Sequence, residues 1–398
     1  VHSNNTLRLP ALEYDWKTGG PDGRRVMSKT EAGYADDNRY RIGFVMEQGL
    51  GHVTHNHGLQ NAVAKDPQVE PEWMLVPYHA NDLWEKLPPM SIKMGLRARK
   101  MLRRRVNRKP IDCLFFHTQV LSLFNYDFIA RIPSVISLDA TPLDFNTIAA
   151  SYASKTASGI LGQIKHAWYR RVFNHAAGLV AFSDWVRDSL ISDYGVAEEK
   201  IHVIPSGIDL EHWKPLADKK NNTQKIKLLF VGGDFQRKGG AELLEAFRNG
   251  LAEHCELDIV TRDTVSAPEV SVRVHNHLSQ NMPELRQLFI DADIFVLPSQ
   301  GDASPFVIIE AMAAGLPVIS TRVGAVQEQV VDGVSGYLMD DNQPATIRSY
   351  VLRLVENRDQ MQEMGRAGRL LAEEKFNAKT NYHRLLEYLK ETAACSRA

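Results

Sequence analysis

From Arg39 onward the chain alternates short apolar runs with longer stretches whose apolar residues recur at helical spacing. "RYRIGFVM", "EWMLVPY", "DCLFFH", "SVISLD", "GLVAFS" and "KIHVIP" are each short, β-branched or aromatic, and separated by helical or loop material. Such runs predict strands, and strands alternating with helices predict a parallel sheet covered on both faces. A helix is expected from about Val53 and a long one over roughly Ala149 to Ala176. "KPLADKKNNTQK" then breaks the pattern; it is polar, carries a proline and an Asn pair, and reads as a linker. The alternation restarts with "IKLLFVGGD", a strand entering a glycine turn, followed by the amphipathic helix "AELLEAFRNGL". Strands "ELDIVT", "VSVRVHN", "DIFVLPS", "PVIST" and "SGYLM" follow, with helices such as "MPELRQLFIDA" between them. From about Ala345 to Glu391 only helices remain. The pattern predicts an α/β protein with two Rossmann-like, doubly wound domains facing a cleft, over 41–214 and 226–377, after a polar extension over 1–40. Ligands of such folds sit at the carboxyl ends of the strands, here the cleft between the halves.

Composition narrows the classes. The 398 residues are 44% hydrophobic and 24% charged with a net charge of −1, which is ordinary for a globular protein and lacks the basic footprint of a nucleic-acid binder. Cys113, Cys255 and Cys395 are too few and too far apart for a disulfide framework or a zinc site. The N-terminal stretch lacks the apolar core of a signal peptide, and no apolar run is long enough to span a bilayer. A cytoplasmic protein is expected.

The stretch "QGDASPFVIIEAMAAGLPVIS", Gln300 to Ser320, carries the chemistry. It leaves a predicted strand and enters a helix, with Ser304 expected as N-cap, Pro305 at the first helical position, and Phe306 and Val307 in the first turn. Gly315 and Pro317 end that helix. A helix start facing a cleft offers free N–H groups and a positive dipole end to an anion. Asp302 lies just before that end, and Glu310 lies about 9 Å beyond the cap at 1.5 Å per residue. Carboxylates accept hydrogen bonds from hydroxyls. Acid, anion pocket and acid therefore match the order of sugar, diphosphate and ribose in a nucleotide-sugar. The alternative is a loop acid and a solvated helix acid.

"DASPFVIIEAMAAGLPVIST" resembles the donor-site motif of the retaining glycosyltransferases of family 4, in which two acids with seven residues between them precede an Ala-Met-Ala-x-Gly-x-Pro-Val run. Asp302 stands where the family has Glu, while Glu310 and the tail match. The resemblance covers Arg41 to the C-terminus, most closely Ala176 to Gly336. It implies the GT-B architecture, with an acceptor domain, a donor domain and a last helix, 378–392, crossing back onto the first. It implies that Glu310 holds the ribose hydroxyls and Asp302 contacts the transferred sugar. In "FVGGDFQRKGGAELLEAF" Lys238 matches the family's diphosphate lysine, and Gly233 stands at the position of its usual arginine; Arg237 is the candidate for that charge. "KIHVIPSGIDLEHWKP" matches the end of the family's first domain, with Gly207 in a turn of close backbone approach beside the donor. Glu328 falls on an acidic position of the family but reads as a surface helix acid outside the site.

In the first half, Gly49 and Gly51 form the glycine turn after the first strand, which in the family lies near the donor phosphates and the acceptor. His117 ends the predicted strand "CLFFH" and matches a family histidine that contacts the transferred sugar. Asp139 is a candidate for acceptor contact or general base, or else a turn acid. His52, His55 and His57 lack metal-ligand spacing, so no metal is expected. Asp291 and Asp293 look like a metal-binding acid pair but precede their strand, away from the cleft. The basic stretch Arg97 to Lys109 suggests contact with an anionic membrane, an acidic acceptor, or a solvated face.

The implied reaction moves a hexose-type sugar from a UDP- or GDP-linked donor to a hydroxyl of a glycan or lipid-linked acceptor, with retention and without a cofactor. A dinucleotide oxidoreductase is disfavoured because neither "GLGHVTHNHG" nor "VGGDFQRKGG" has the required glycine spacing. A non-catalytic nucleotide-sugar-binding protein of the same fold is the second possibility.

Overall fold

A computed structural model describes residues 39–49, 51–80, 82–83, 85–86, 90–107, 109–148, 159–215, 225–280, 282–395 and 397. Residues 1–38 of the extension expected over 1–40, and most of the linker, therefore lie outside the described residues, while Tyr40 already begins the first strand.

The first half contains β1 (Tyr40–Gln48), α1 (His52–Val63), β2 (Val69–Pro77), α2 (Met90–Val106), β3 (Cys113–His117), α3 (Gln119–Ser122), α4 (Tyr126–Ile129) and β4 (Ser134–Leu138). It continues with α5 (Pro142–Ile148), α6 (Gly159–His175), β5 (Gly178–Ala181), α7 (Asp184–Ser192) and β6 (Ile201–Val203). These strands form a six-stranded parallel sheet in the order β2-β1-β3-β4-β5-β6. The expected long helix is seen as α6; residues 149–158 before it lie outside the described residues.

The second half contains β7 (Ile226–Val231), α8 (Gly240–Ala246), β8 (Cys255–Val260), β9 (Val272–His275), α9 (Pro283–Asp291), β10 (Ile294–Leu297), α10 (Phe306–Ala313), β11 (Val318–Thr321), α11 (Val326–Gln329) and β12 (Gly336–Met339). Its sheet is also six-stranded and parallel, in the order β12-β11-β10-β7-β8-β9. Helices α12 (Pro344–Glu356), α13 (Arg358–Lys375) and α14 (Ala378–Ala394) close the chain.

The strands are continuous apolar runs because both faces are covered. Every residue of β3, β4, β5, β10 and β11 is buried. Helix α14 completes the core of the first half, where Tyr382, Leu385, Leu386 and Leu389 pack with Phe44 and Phe115. A small apolar cluster joins the halves, with Ala140, Phe145, Ile148 and Trp185 meeting Ala303.

The strand orders position the site. In the first sheet the crossovers reverse between β1 and β3, and in the second between β7 and β10. Such reversals leave a crevice at the carboxyl ends of the two strands. Gly49, Gly51, His52 and His117 follow or end β1 and β3; Gly233, Lys238 and Asp302 follow β7 and β10.

Candidate active site

On the second half, the loops after β7 and β10 are tied together. Lys238 and Asp302 form an ion pair with both side chains almost wholly buried, and the Ser299 hydroxyl approaches the same carboxylate at 3.4 Å. The two groups assigned separately to diphosphate and sugar are thus neighbours. Arg237 does not supply the expected free charge. Its guanidinium donates to the Gly301 carbonyl at 2.8 Å and to Asp234 at 3.3 Å, and the residue is buried, so it clamps one loop to the other. Gly233 leaves space that a different arginine occupies: a Cβ there would lie 3.7 Å from Nε of Arg262, just beyond β8. Arg262 is exposed, and no carboxylate pairs with it among the described residues.

Ser304 is not the N-cap of α10. Pro305 takes that place with an extended backbone (ψ 118°), and the Ser304 hydroxyl accepts from Gln329 at 3.0 Å instead. A one-residue shift leaves the N–H groups of Phe306 and Val307 at the helix start, without backbone acceptors among the described residues. Glu310 lies on the buried face of this helix, 5% exposed. No donor or cation reaches its carboxylate among the described residues, and burial alone pushes its pKa up to about 7.

On the first half, His117 is fully buried and both ring nitrogens are engaged. Nδ1 meets the Ser137 hydroxyl at 2.7 Å, and Nε2 meets Nδ1 of His52 at 3.1 Å. His55 stacks on it with ring centroids 4.3 Å apart. Burial, followed by the neighbouring His55 and His52, holds the His117 pKa well below the ordinary histidine range; burial and then His52 lower that of His55 to about 3. His117 is therefore behind the site, and the partly exposed His52 stands in front of it. His57 is exposed and outside the cluster. Gly51 faces the second half, where a Cβ on it would lie 3.5 Å from the Phe306 ring; Gly49 packs under Tyr78. Asp139 follows β4 directly, partly exposed, beside the Ala140–Ala303 contact.

Gly207 serves the chain crossing. A Cβ there would fall 2.3 Å from Cα of Ala378, so the close approach is to the start of α14, not to a donor. Ile208 N–H donates to Phe376 at 2.7 Å, and Ala378 N–H donates back to Ile208 at 3.0 Å.

Two family models match the chain in tandem: "Glycosyltransferase Family 4" over residues 51–212 and "Glycosyl transferases group 1" over 213–371. The chain belongs to the family 4 glycosyltransferases of GT-B architecture. It is 29% identical over 223 residues to a D-inositol 3-phosphate glycosyltransferase of Arthrobacter sp. (strain FB24), a match covering 51% of this chain and 53% of that protein. The chain thus spans about half the length of the curated relatives it first matches. Sucrose-phosphate synthase from Thermosynechococcus elongatus superposes with a TM-score of 0.72 at 15% identity, over 90% of this chain and 100% of that one. Anabaena HepE, solved in complex with UDP and glucose, gives 0.63 at 16% identity, over 88% and 100%. At these identities the likeness is one of fold.

The remaining expectations for this family 4 chain divide. Asp293 lies at the amino end of β10 and caps Lys227 N–H at 2.9 Å, far from the cleft end of the strands. Glu328 is not a surface acid. Its carboxylate accepts from the N–H groups of Asp184 and Trp185 at 2.8 and 2.7 Å, joining α11 of one half to the start of α7 in the other. The basic stretch is largely consumed inside the first half. Arg97 is buried on the Pro77 and Tyr78 carbonyls and on Asp82, Arg99 pairs with Asp127, Arg105 with Glu72 and Lys109 with Glu70. Arg103 and Arg104 remain exposed at the end of α2. Among the described residues, no helix is long and apolar enough to cross a membrane.

Sequence reasoning missed Arg262, weighed His52 only as a metal ligand, and read Glu328 as a surface acid outside the site. His52 follows the glycine turn directly, and Arg262 follows a strand, so position at a strand's carboxyl end was the available signal. The link from Glu328 to α7 joins positions 144 apart and leaves no local mark.

Proposed function

We propose that the chain transfers a hexose-type sugar from a nucleotide-diphosphate-sugar to a hydroxyl acceptor with retention at the anomeric carbon. The observation that carries the reading is Glu310, a buried carboxylate on α10 with no partner among the described residues. Burying a carboxylate without hydrogen bonds is unfavourable, and a vicinal diol supplies two donors. In this reading the ribose of the donor hydrogen-bonds Glu310. The diphosphate lies at the start of α10, where the Phe306 and Val307 N–H groups have no backbone acceptor among the described residues. Lys238, with Arg262 beside Gly233, balances the charge that grows on the leaving diphosphate. Asp302 holds the lysine and presents its second oxygen to the sugar. The Anabaena neighbour's complex with UDP and glucose supports a uridine donor. The acceptor is read as a glycan or lipid-linked glycan approaching from the first half. Arg103 and Arg104 are the cations available to an anionic membrane surface.

One observation favours the alternative of a binding protein: Asp302 already neutralises Lys238. A panel of UDP- and GDP-sugars, scored by calorimetry and by transfer or hydrolysis, decides between them. Turnover that Glu310→Ala and Lys238→Ala each lower at least about 100-fold supports the transferase. Tight nucleotide binding without turnover of any donor rejects it.

A further inference from the structure

His52 is placed by the turn after β1. Its N–H donates to the Gly49 carbonyl at 3.0 Å, and it opens α1 next to Gly51, which faces Phe306 of the opposite half. One ring nitrogen is committed: Nδ1 meets Nε2 of the buried His117 at 3.1 Å. The other, Nε2, has no protein partner among the described residues, and the side chain is partly exposed.

The chain of bonds behind it sets which nitrogen carries the proton. The Ser137 hydroxyl has one hydrogen and two neighbours, the Phe116 carbonyl at 3.4 Å and His117 Nδ1 at 2.7 Å. All contacts are served only if Ser137 donates to the carbonyl and accepts from His117 Nδ1–H. A fully buried His117 among two other histidines is neutral and keeps a single proton. Its Nε2 is then a lone pair and accepts from His52 Nδ1–H. The His52 proton sits on the inner nitrogen, and the outer Nε2 is a bare acceptor.

We infer that His52 is a catalytic residue of the first half, whose Nε2 accepts a hydrogen bond from a substrate hydroxyl in the cleft, with His117 and Ser137 as the positioning residues that fix its tautomer and ring orientation. The inference rests on the transferase reading above. The hydroxyl belongs either to the transferred sugar or to the attacking acceptor, and the two leave different kinetic traces.

The experiment uses the full chain with its best nucleotide-sugar. His52→Asn keeps an amide donor for His117 but removes the outer acceptor; His52→Gln carries an acceptor out to the position of Nε2. We expect His52→Ala and His52→Asn to lower kcat/KM about 10- to 100-fold, with Gln recovering most of it. Nucleotide binding should be unchanged in all three, and His52→Asn, which keeps the donor to the buried His117, should also keep the melting temperature. Equal losses in transfer and donor hydrolysis assign the hydroxyl to the donor sugar; loss of transfer with hydrolysis intact assigns it to the acceptor. Imidazole ¹⁵N shifts, assigned by the His52→Gln difference, should show Nδ1 protonated, and Ser137→Ala should mix the tautomers while Ser137→Thr restores them. An active protein indifferent to His52→Asn, or a His52 protonated on Nε2, overturns the inference and leaves the transferase reading standing. Absence of any turnover in the unaltered protein fails the transferase reading, and the inference with it.

Discussion

Glu310 makes stability depend on pH in a direction opposite to that of a salt-bridged acid. Its pKa rises from 4.5 to about 7 in the folded chain. Between those values the folded state keeps a proton that the unfolded state has released, so stability is full below pH 4.5 and falls as pH rises to about 7. The loss integrates to about 3 kcal/mol. Glu310→Gln removes that dependence. Its melting temperature should exceed that of the unaltered protein at pH 8 and match it closely at pH 4.5, in paired thermal scans. Saturating donor nucleotide should erase the difference at pH 8, because hydroxyl donors then serve the ionised carboxylate. A constant offset across the range would show that burial does not govern this group. The two arginines near the β7 loop separate in the same way. Arg262→Ala should weaken nucleoside-diphosphate binding about tenfold by calorimetry while leaving the nucleoside's affinity and the melting temperature alone. Arg237→Ala should lower the melting temperature, because its buried guanidinium holds the Gly301 carbonyl. A reversal of those two phenotypes would put the diphosphate against Arg237.

Among the elements, the strands were legible because parallel strands covered on both faces must be apolar throughout; "CLFFH" and "DIFVLPS" are β3 and β10 almost to the residue. The start of α10 was legible to within one residue, since Ser-Pro before an apolar run signals a helix start but not which of the pair is the cap. Glu310 stood out because an acid in an otherwise apolar helix demands a reason. What was illegible depends on distant parts meeting. His52 and His117 are 65 positions apart, Arg237 and Gly301 are 64, and Asp184 and Glu328 are 144. Spacing along the chain carries no trace of such pairs. The misreading of Gly207 has the same origin: a glycine reports a close approach but not what approaches. Here it is α14, and the clash is with backbone, which cannot swing away. Gly207→Ala should therefore cost about 2 kcal/mol or more in urea unfolding, and α14 should become the first segment to lose amide protection. An alanine variant as stable as the parent would mean that the crossing is looser than the 2.3 Å approach implies.

At the scale of the whole molecule, the proposed chemistry needs two switch-point crevices held face to face, and named contacts between the halves do part of the holding. One is the apolar cluster of Ala140, Phe145, Ile148 and Trp185 with Ala303, immediately beside Asp302. Another is Glu328, whose carboxylate caps the two first N–H groups of α7 across the gap. A carboxylate at a helix start gains from the dipole as well as from the hydrogen bonds, about 1 kcal/mol or somewhat more in total. That is enough to bias a domain equilibrium several-fold without locking it. Glu328 touches neither the Lys238–Asp302 pair nor the histidine cluster, so its replacement tests closure apart from chemistry. Glu328→Ala should speed hydrogen exchange at the Asp184 and Trp185 amides and increase the radius of gyration in small-angle scattering. It should also lower transfer by about 3- to 10-fold, with nucleotide affinity held by the second half nearly unchanged. Saturating donor and acceptor together should narrow the scattering difference, since ligands that bridge the cleft favour the closed arrangement. If the variant instead loses nucleotide affinity in proportion to its rate, Glu328 acts on the donor pocket itself, and the link to α7 is incidental.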